Sequence, residues 1–471
     1  VKLPAYPRYK PSGVAWLGDV PEHWDVDRLK WTTTGTVNGI WGDEPNGADD
    51  MICVRVADFD RDRFLVADEP PTLRAVDAAQ RNGRILRRGD LLIEKSGGGE
   101  KQLVGCVVLF DHEFPAVCSN FVARMPTLPH HDARFWSYAH ASLYAGRLNY
   151  PAIKQTTGIQ NLDSAAYLDT RVGLPPDAEQ RAVADFLDRA TARIDALVAK
   201  KRTLIERLKE KRTALISRIV TRGLPPDAAR AAGLDPHPRL RPSGVAWLGD
   251  VPEHWTARRL KQISDVVTVG VVVNPSSYVA DEGVPFLLGG DIREFRIDAD
   301  NCNKCAPESS DGPLRKSRLD PGDVVVVRVG YPGIAAVVPP ELAGANCASM
   351  MLVRRHKRFC SQWLAYTFNS QAGRDQVDVV QYGAAQKQFN ISHAVNFVFP
   401  FPPLPEQRAI AAYLDGETAK LDALAAKVET AIERLQEYRT ALITAAVTGK
   451  LDVRESSPRG NLVLETTQGN H

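Results

Sequence analysis

The stretch PSGVAWLGDVPEHW occupies positions 11–24 and returns without a mismatch at 242–255, 231 residues further on. A second pair, Glu179-Gln180-Arg181 and Glu406-Gln407-Arg408, stands 227 positions apart, and each triplet opens a long helical stretch. The chain therefore reads as two copies of one unit, each a short signature, a variable body and a long helix. The bodies between the repeated parts differ greatly. Such a molecule presents two different surfaces from two equivalent positions, as reading two unlike half-sites on one pseudo-symmetric ligand requires.

The repeats divide the chain into a first body with its signature (1–172), a central helix (173–223), a linker (224–237), a second body (238–400), a distal helix (401–449) and a tail (450–471). In the first body, apolar or alternating runs predict strands at 51–56, 90–94 and 105–110, and a helix at 133–148. In the second, GDVVVV at 322–327 matches GDLLIE at 89–94, and 360–374 matches the helix. The bodies thus share an α/β (α+β) fold of mostly short strands, but not a surface.

Leu174-Pro175-Pro176 and Pro402-Pro403-Leu404-Pro405 stop each body and favour a first helical turn. The helices are expected over 178–220 and 406–447, roughly 60 Å each at 1.5 Å per residue. In the distal helix Leu414, Leu421, Val428, Leu435 and Leu442 fall seven apart, with Leu424, Ala431, Tyr438 and Ala445 on a second track three residues on. The central helix carries Leu187, Ile194, Leu208 and Leu215, with Leu197 and Leu204, and Lys201 interrupts its seam where Val428 sits in the other. These heptads predict that the two helices pack on each other as an antiparallel coiled coil. The competing arrangement lays each helix on its own body. The helix length argues against it.

Composition sets limits. The chain has 471 residues, 44% hydrophobic and 25% charged, as in an ordinary globular protein. No apolar run spans a bilayer and Val1-Lys2-Leu3-Pro4 opens no signal-peptide core, so the sequence reads as cytoplasmic, with no membrane. Seven scattered cysteines make no disulfide scaffold, and Cys302 and Cys305 lack a second pair at zinc-ligand spacing. With a net charge of only +2, any DNA contact must come from local basic groups or from a partner.

No catalytic constellation is found. Asn274-Pro275-Ser276-Ser277-Tyr278 has the wrong spacing for an N-P-P-Y motif and reads as a turn. SGGGEK at 96–101 lacks the G-K-[ST] ending of a phosphate loop and opens no helix. The repeated His23 and His254 read as structural.

Two segments of each body suit DNA. The glycine segment of the first body is placed at a hairpin tip carrying Lys95, Ser96, Lys101 and Gln102, with Arg328 and Tyr331 in the matching place of the second. After each body's helix come Lys154, Gln155, Thr157 and Gln160, and Gln381, Tyr382, Gln386 and Lys387. Glycine lets backbone approach a groove, Gln pairs with adenine, and Arg or Lys with guanine. A solvated polar loop is the bland alternative for each.

The signature SGVAWLGDVPEHW, the openings LPPDAEQRAVADFLD and PPLPEQRAIAAYLD, and the segment EKSGGGEKQLVG resemble the DNA-specificity (S) subunits of type I restriction–modification systems, over nearly the whole chain. The resemblance implies two target-recognition domains held apart by coiled-coil helices, and a bipartite double-stranded DNA target. It implies docking of two methyltransferase (M) subunits, and of restriction (R) subunits that add ATP-dependent cleavage. It implies that the chain is not itself an enzyme and holds no cofactor, S-adenosylmethionine being bound by M. It does not imply which bases are read. The alternative from another class is a coiled-coil scaffold with no DNA role, which would not bind duplex DNA with or without partners.

Overall fold

The computed structural model describes residues 4–99, 102–272, 274–384 and 386–454. These form two compact units, residues 1–200 with 430–471, and residues 201–429, so the boundary cuts both long helices.

In the first unit the signature folds as an antiparallel hairpin, Tyr9–Pro11 on Asp19–Pro21. Strand Asp25–Arg28 then pairs antiparallel with Arg171–Leu174, so the body enters and leaves side by side. Its main sheet runs in the order Val37–Asn38, Val122–Met125, Asp90–Glu94, Val107–Phe110, Leu65–Val66, Phe59–Asp60. A second sheet joins Ala116–Cys118, Asp50–Val54 and Leu73–Ala75. Strand 90–94 falls where expected, while the other two predicted strands shorten to Asp50–Val54 and Val107–Phe110. Helix Ala133–Ala145 starts at Asp132, whose carboxylate caps the amides of Arg134 and Phe135, and it ends before Gly146. Its Phe135 and Trp136 pack with Leu91, Ile93 and Tyr167 in the core.

The second unit repeats this plan. Its hairpin is Leu240–Pro242 on Asp250–Pro252, and its root is Thr256–Arg259 on Val398–Phe401. Its main sheet is Val267–Val269, Met350–Val353, Val324–Val327, Ala335–Val337. The single helix expected at 360–374 is two, Ser361–Asn369 and Gln371–Val380. Ser370 breaks it in an extended conformation and caps the second helix through Gly373. A Cβ at Gly373 would lie 2.2 Å from the Phe368 carbonyl oxygen, so the sharp bend needs glycine there. The expected linker is not all coil: it contains helix Pro226–Ala231, with proline in the first turn.

The long helices run Asp177–Arg222 and Leu404–Val447. In the first unit, Leu187, Ala190, Ile194 and Val198 share a core with Leu442, Ile443, Ala446 and Val447, with Leu435 packed against it. In the second, Ile216, Ile219 and Val220 share one with Ile410, Ala411 and Leu414, with Leu215 alongside. Within each unit the segments therefore run antiparallel, the start of one helix on the end of the other. Leu208 is buried and Leu421 half-buried on the same track. The expected second track is corrected. Leu204, Leu424 and Tyr438 are exposed, at 41%, 45% and 38%. The interior track lies four residues on from the leucines and includes Thr191, Val198, Ile205 and Ile219 on one helix, with Thr418, Arg439 and Ala446 on the other.

Its polar members are paired. Arg439 Nε donates to Asp195 at 3.0 Å in the first unit, and Arg212 Nε to Asp422 at 3.0 Å in the second. The Tyr138 hydroxyl donates to Asp188 at 2.9 Å and lies 3.2 Å from the Thr191 hydroxyl; Tyr366 does the same with Asp415 at 2.7 Å and Thr418 at 3.3 Å. Each body is thus pinned to its helix pair by the same polar joint.

Candidate nucleic-acid interface

In the first body the two polar segments chosen from the sequence lie against each other. Ser96–Gly97 pairs antiparallel with Ile159–Leu162, which pairs in turn with Ile153–Thr157. The second segment is therefore a hairpin, not a loop. The Ser96 hydroxyl donates to Asn161 Oδ1 at 2.6 Å. Lys95 Nζ donates to Asn38 Oδ1 at 2.5 Å, and Lys154 Nζ is exposed and paired with Asp163 at 2.8 Å. Gln155 is exposed and Thr157 ends its strand. Gln160 departs from expectation: it is buried, accepts from the Val104 amide at 3.1 Å and donates to the Gly99 carbonyl at 3.4 Å. Its amide is spent on holding the glycine segment, so it positions that segment and does not face outward. Lys101 lies outside the described residues.

The second body joins its two segments in the same way with other residues. The Gly330 amide donates to the Lys387 carbonyl at 2.9 Å and the Phe389 amide to the Arg328 carbonyl at 3.2 Å. Tyr382 and Gln388 exchange backbone bonds of 2.8 and 2.9 Å. Tyr331 is 78% exposed, and Gln386 and Lys387 are exposed as well. Gln381 donates to Asp378 at 2.8 Å and the Tyr382 hydroxyl to Asn390 at 3.0 Å. The Arg328 Nε is buried without a hydrogen-bond partner, and its guanidinium forms no ion pair among the described residues. A guanidinium left unsatisfied by its own chain is a donor fork available to a ligand.

Sequence reading missed a basic run, RNGRILRR at 81–88. Arg84 Nε donates to the Asn38 carbonyl at 3.2 Å, on the residue whose side chain holds Lys95. Arg87 makes no ion pair among the described residues. The missed signal was plain: four arginines in eight positions with no acid. Arg81 is paired with Asp49 at 2.5 Å and Arg88 with Asp111 and Glu113 at 2.6 and 3.1 Å, which leaves Arg84 and Arg87 as its cations without an ion pair among the described residues.

The repeated signature serves the scaffold. His23 Nε2 lies 2.7 Å from Glu179 Oε2 and Trp24 Nε1 donates to Glu179 Oε1 at 2.9 Å; His254 meets Glu406 at 2.9 Å. Both carboxylates sit in the first turn of a long helix, where the dipole favours negative charge. Among the described residues no group of three or more His, Cys, Asp or Glu stands together to hold a metal, and no helix is long and apolar enough to cross a membrane.

Each unit thus carries one body on the same plan of signature hairpin, strand root and helix joint, with a polar surface of its own. No family model matches the chain. It is 23% identical over 342 residues to the type I restriction enzyme EcoBI specificity subunit of Escherichia coli, covering 71% of this chain and 69% of the relative. It is 20% identical to the EcoKI specificity subunit of Escherichia coli K12, over 69% of this chain and 67% of that one. Among solved structures, a chain from work on assembly and conformational transition of the type I R-M system matches with a TM-score of 0.61 at 18% identity, over 92% of this chain and 99% of that chain. That likeness is one of fold. The resemblance read from the sequence is thus met by relatives named as type I restriction enzyme specificity subunits.

Proposed function

We propose that this chain reads a bipartite sequence in duplex DNA as the specificity subunit of a type I restriction–modification enzyme. One observation carries this reading. In each body two polar segments, distant in sequence, are hydrogen-bonded into one surface, while the joints to the helices repeat. Unlike surfaces on like mountings are what two different half-sites need. The chain itself catalyses nothing. Its helices dock two methyltransferase subunits that bind S-adenosylmethionine, and restriction subunits join through that complex in the cytoplasm.

The test is to express the chain with a type I methyltransferase subunit and map DNA methylation genome-wide. A single motif of two specified parts around an unspecified spacer is expected. Methylation at a continuous motif, or none together with no sequence-specific binding to duplex DNA, would overturn the reading.

A further inference from the structure

The first body carries a cleft of about 860 Å³ beside the glycine segment. Its rim is flat and apolar: Trp41, Phe121 and Ile159 are 39%, 49% and 53% exposed. A contiguous exposed apolar rim of this kind marks a binding surface. Glu94 lines the same cleft at the end of its strand, with a side chain 0% exposed.

Glu94 Oε2 accepts from Arg61 Nη2 at 2.8 Å, whereas Oε1 has no hydrogen-bond partner. Burial pushes this carboxyl up, opposed by Arg61 and by the amides of Cys106 and Gly105. A buried acceptor left open is costly and calls for an explanation. Gly97 stands in front of it: a Cβ there would lie 3.1 Å from Oε1, on a backbone with φ of +133°. With its amide oriented so that the oxygen accepts from Arg61 at 2.7 and 2.8 Å, Gln102 turns its NH₂ group to the opposite side. An acceptor and a donor, both braced by Arg61, thus stand at one cleft.

We propose that this cleft reads a base of the first half-site and that Glu94 with Gln102 selects adenine, Oε1 accepting from the N6 amino group and the Gln102 amide donating to N7. Adenine is the base whose major-groove edge sets an amino donor beside a ring acceptor; guanine shows two acceptors there, cytosine a donor and thymine an acceptor with a methyl group. In the second body Val327 holds the strand position of Glu94, so this readout belongs to one half-site alone. The inference rests on the DNA-reading function proposed above.

The test uses the full chain assembled with its methyltransferase subunits, after the target has been mapped. Each adenine of the first half-site is replaced in turn by purine, which lacks the amino group, or by 7-deazaadenine, which lacks N7. At one position each analogue should weaken wild-type binding about tenfold. Glu94→Ala should bind adenine and purine duplexes equally there, and Gln102→Ala should bind adenine and 7-deazaadenine duplexes equally. Gln102 is exposed, so its variant keeps the test open if Glu94→Ala does not fold. A first half-site without adenine, or variants that discriminate as the wild type does, would overturn the inference while leaving the DNA-reading function standing. An assembly that binds no duplex sequence-specifically would overturn both.

Discussion

Glu94 in the first body and Val327 in the second close the same strand of the same sheet, one a buried carboxylate, the other a buried methyl pair. His140, fully buried with its Nδ1 2.6 Å from the Tyr167 hydroxyl, lies two residues beyond Tyr138 and gives way to Phe368, two beyond the matching Tyr366, while Tyr167 gives way to Ala394. At the helices the two units scarcely differ. The Arg–Asp pair on the seam is 3.0 Å in each unit, and the His–Glu clamp is 2.7 Å in one and 2.9 Å in the other. Contacts to the helices have been kept, and contacts inside and outside the bodies have been free to change. Equal mountings with unequal faces are the signature of a part that must stay in register while its reading varies.

The strongest way to break that comparison is to exchange one face. Replacing residues 25–172 with the first body of another specificity subunit should change one half-site completely and leave the other intact, as read by methylome sequencing. If both halves change, the bodies are not independent.

A smaller perturbation separates the two helix tracks. Leu442 is 5% exposed on the seam and Leu424 is 45% exposed off it. Leu442→Asp should cost about 3 kcal/mol or more, from lost leucine burial and a carboxylate placed in the core. Leu424→Asp should stay within about 0.5 kcal/mol. Thermal or urea unfolding of the two variants distinguishes them, and equal losses would return the interior to the exposed track.

Arg328→Ala sharpens the contrast between readers. Discrimination at one position of the second half-site should fall by about 1–3 kcal/mol, with the first half-site untouched. Binding titrations on single-substituted sites measure this, and uniform weakening across sequences would make Arg328 a phosphate contact instead.

The smallest effect is a difference in acid sensitivity. Burial pushes the His140 imidazole down to about 3. A group depressed on folding stabilises the fold above its unfolded value of about 6.5, and that contribution is lost as pH falls. By pH 5.5 the first body should have lost about 1.4 kcal/mol. The second, with Phe368 in that place, has no imidazole to protonate there. Hydrogen exchange at pH 7 and 5.5 should show protection falling in the first body alone, and His140→Phe should remove the difference.

Much of this was legible from residues, for reasons that also explain the failures. Repeats and heptads are long and local, so both helices and strand 90–94 fall close to where the sequence puts them. The second track was misplaced because apolarity was counted. Leu204, Leu424 and Tyr438 look like core, while Thr191, Thr418 and Arg439 are core because Tyr138, Tyr366 and Asp195 lie opposite them. A polar side chain becomes interior through its partner, and partners distant in sequence leave no periodic trace. The glycine segment and the hairpin after the helix were each chosen on composition alone. That they form one surface follows from strand pairing across more than sixty residues. Glu94 was visible only as a strand residue, since its open acceptor depends on Arg61, Gly97 and Gln102 arriving around it.

The root of each body has a consequence for how such a protein can evolve. Asp25–Arg28 lies antiparallel on Arg171–Leu174, and Thr256–Arg259 on Val398–Phe401, so each body begins and ends at adjacent strands, the second of which leads into its long helix. Everything hung beyond such a closed neck can lengthen, shorten or be replaced wholesale without moving the helix it leads into. Natural selection can therefore explore new surfaces in one body at a time, with no compensating change in the helices that carry them.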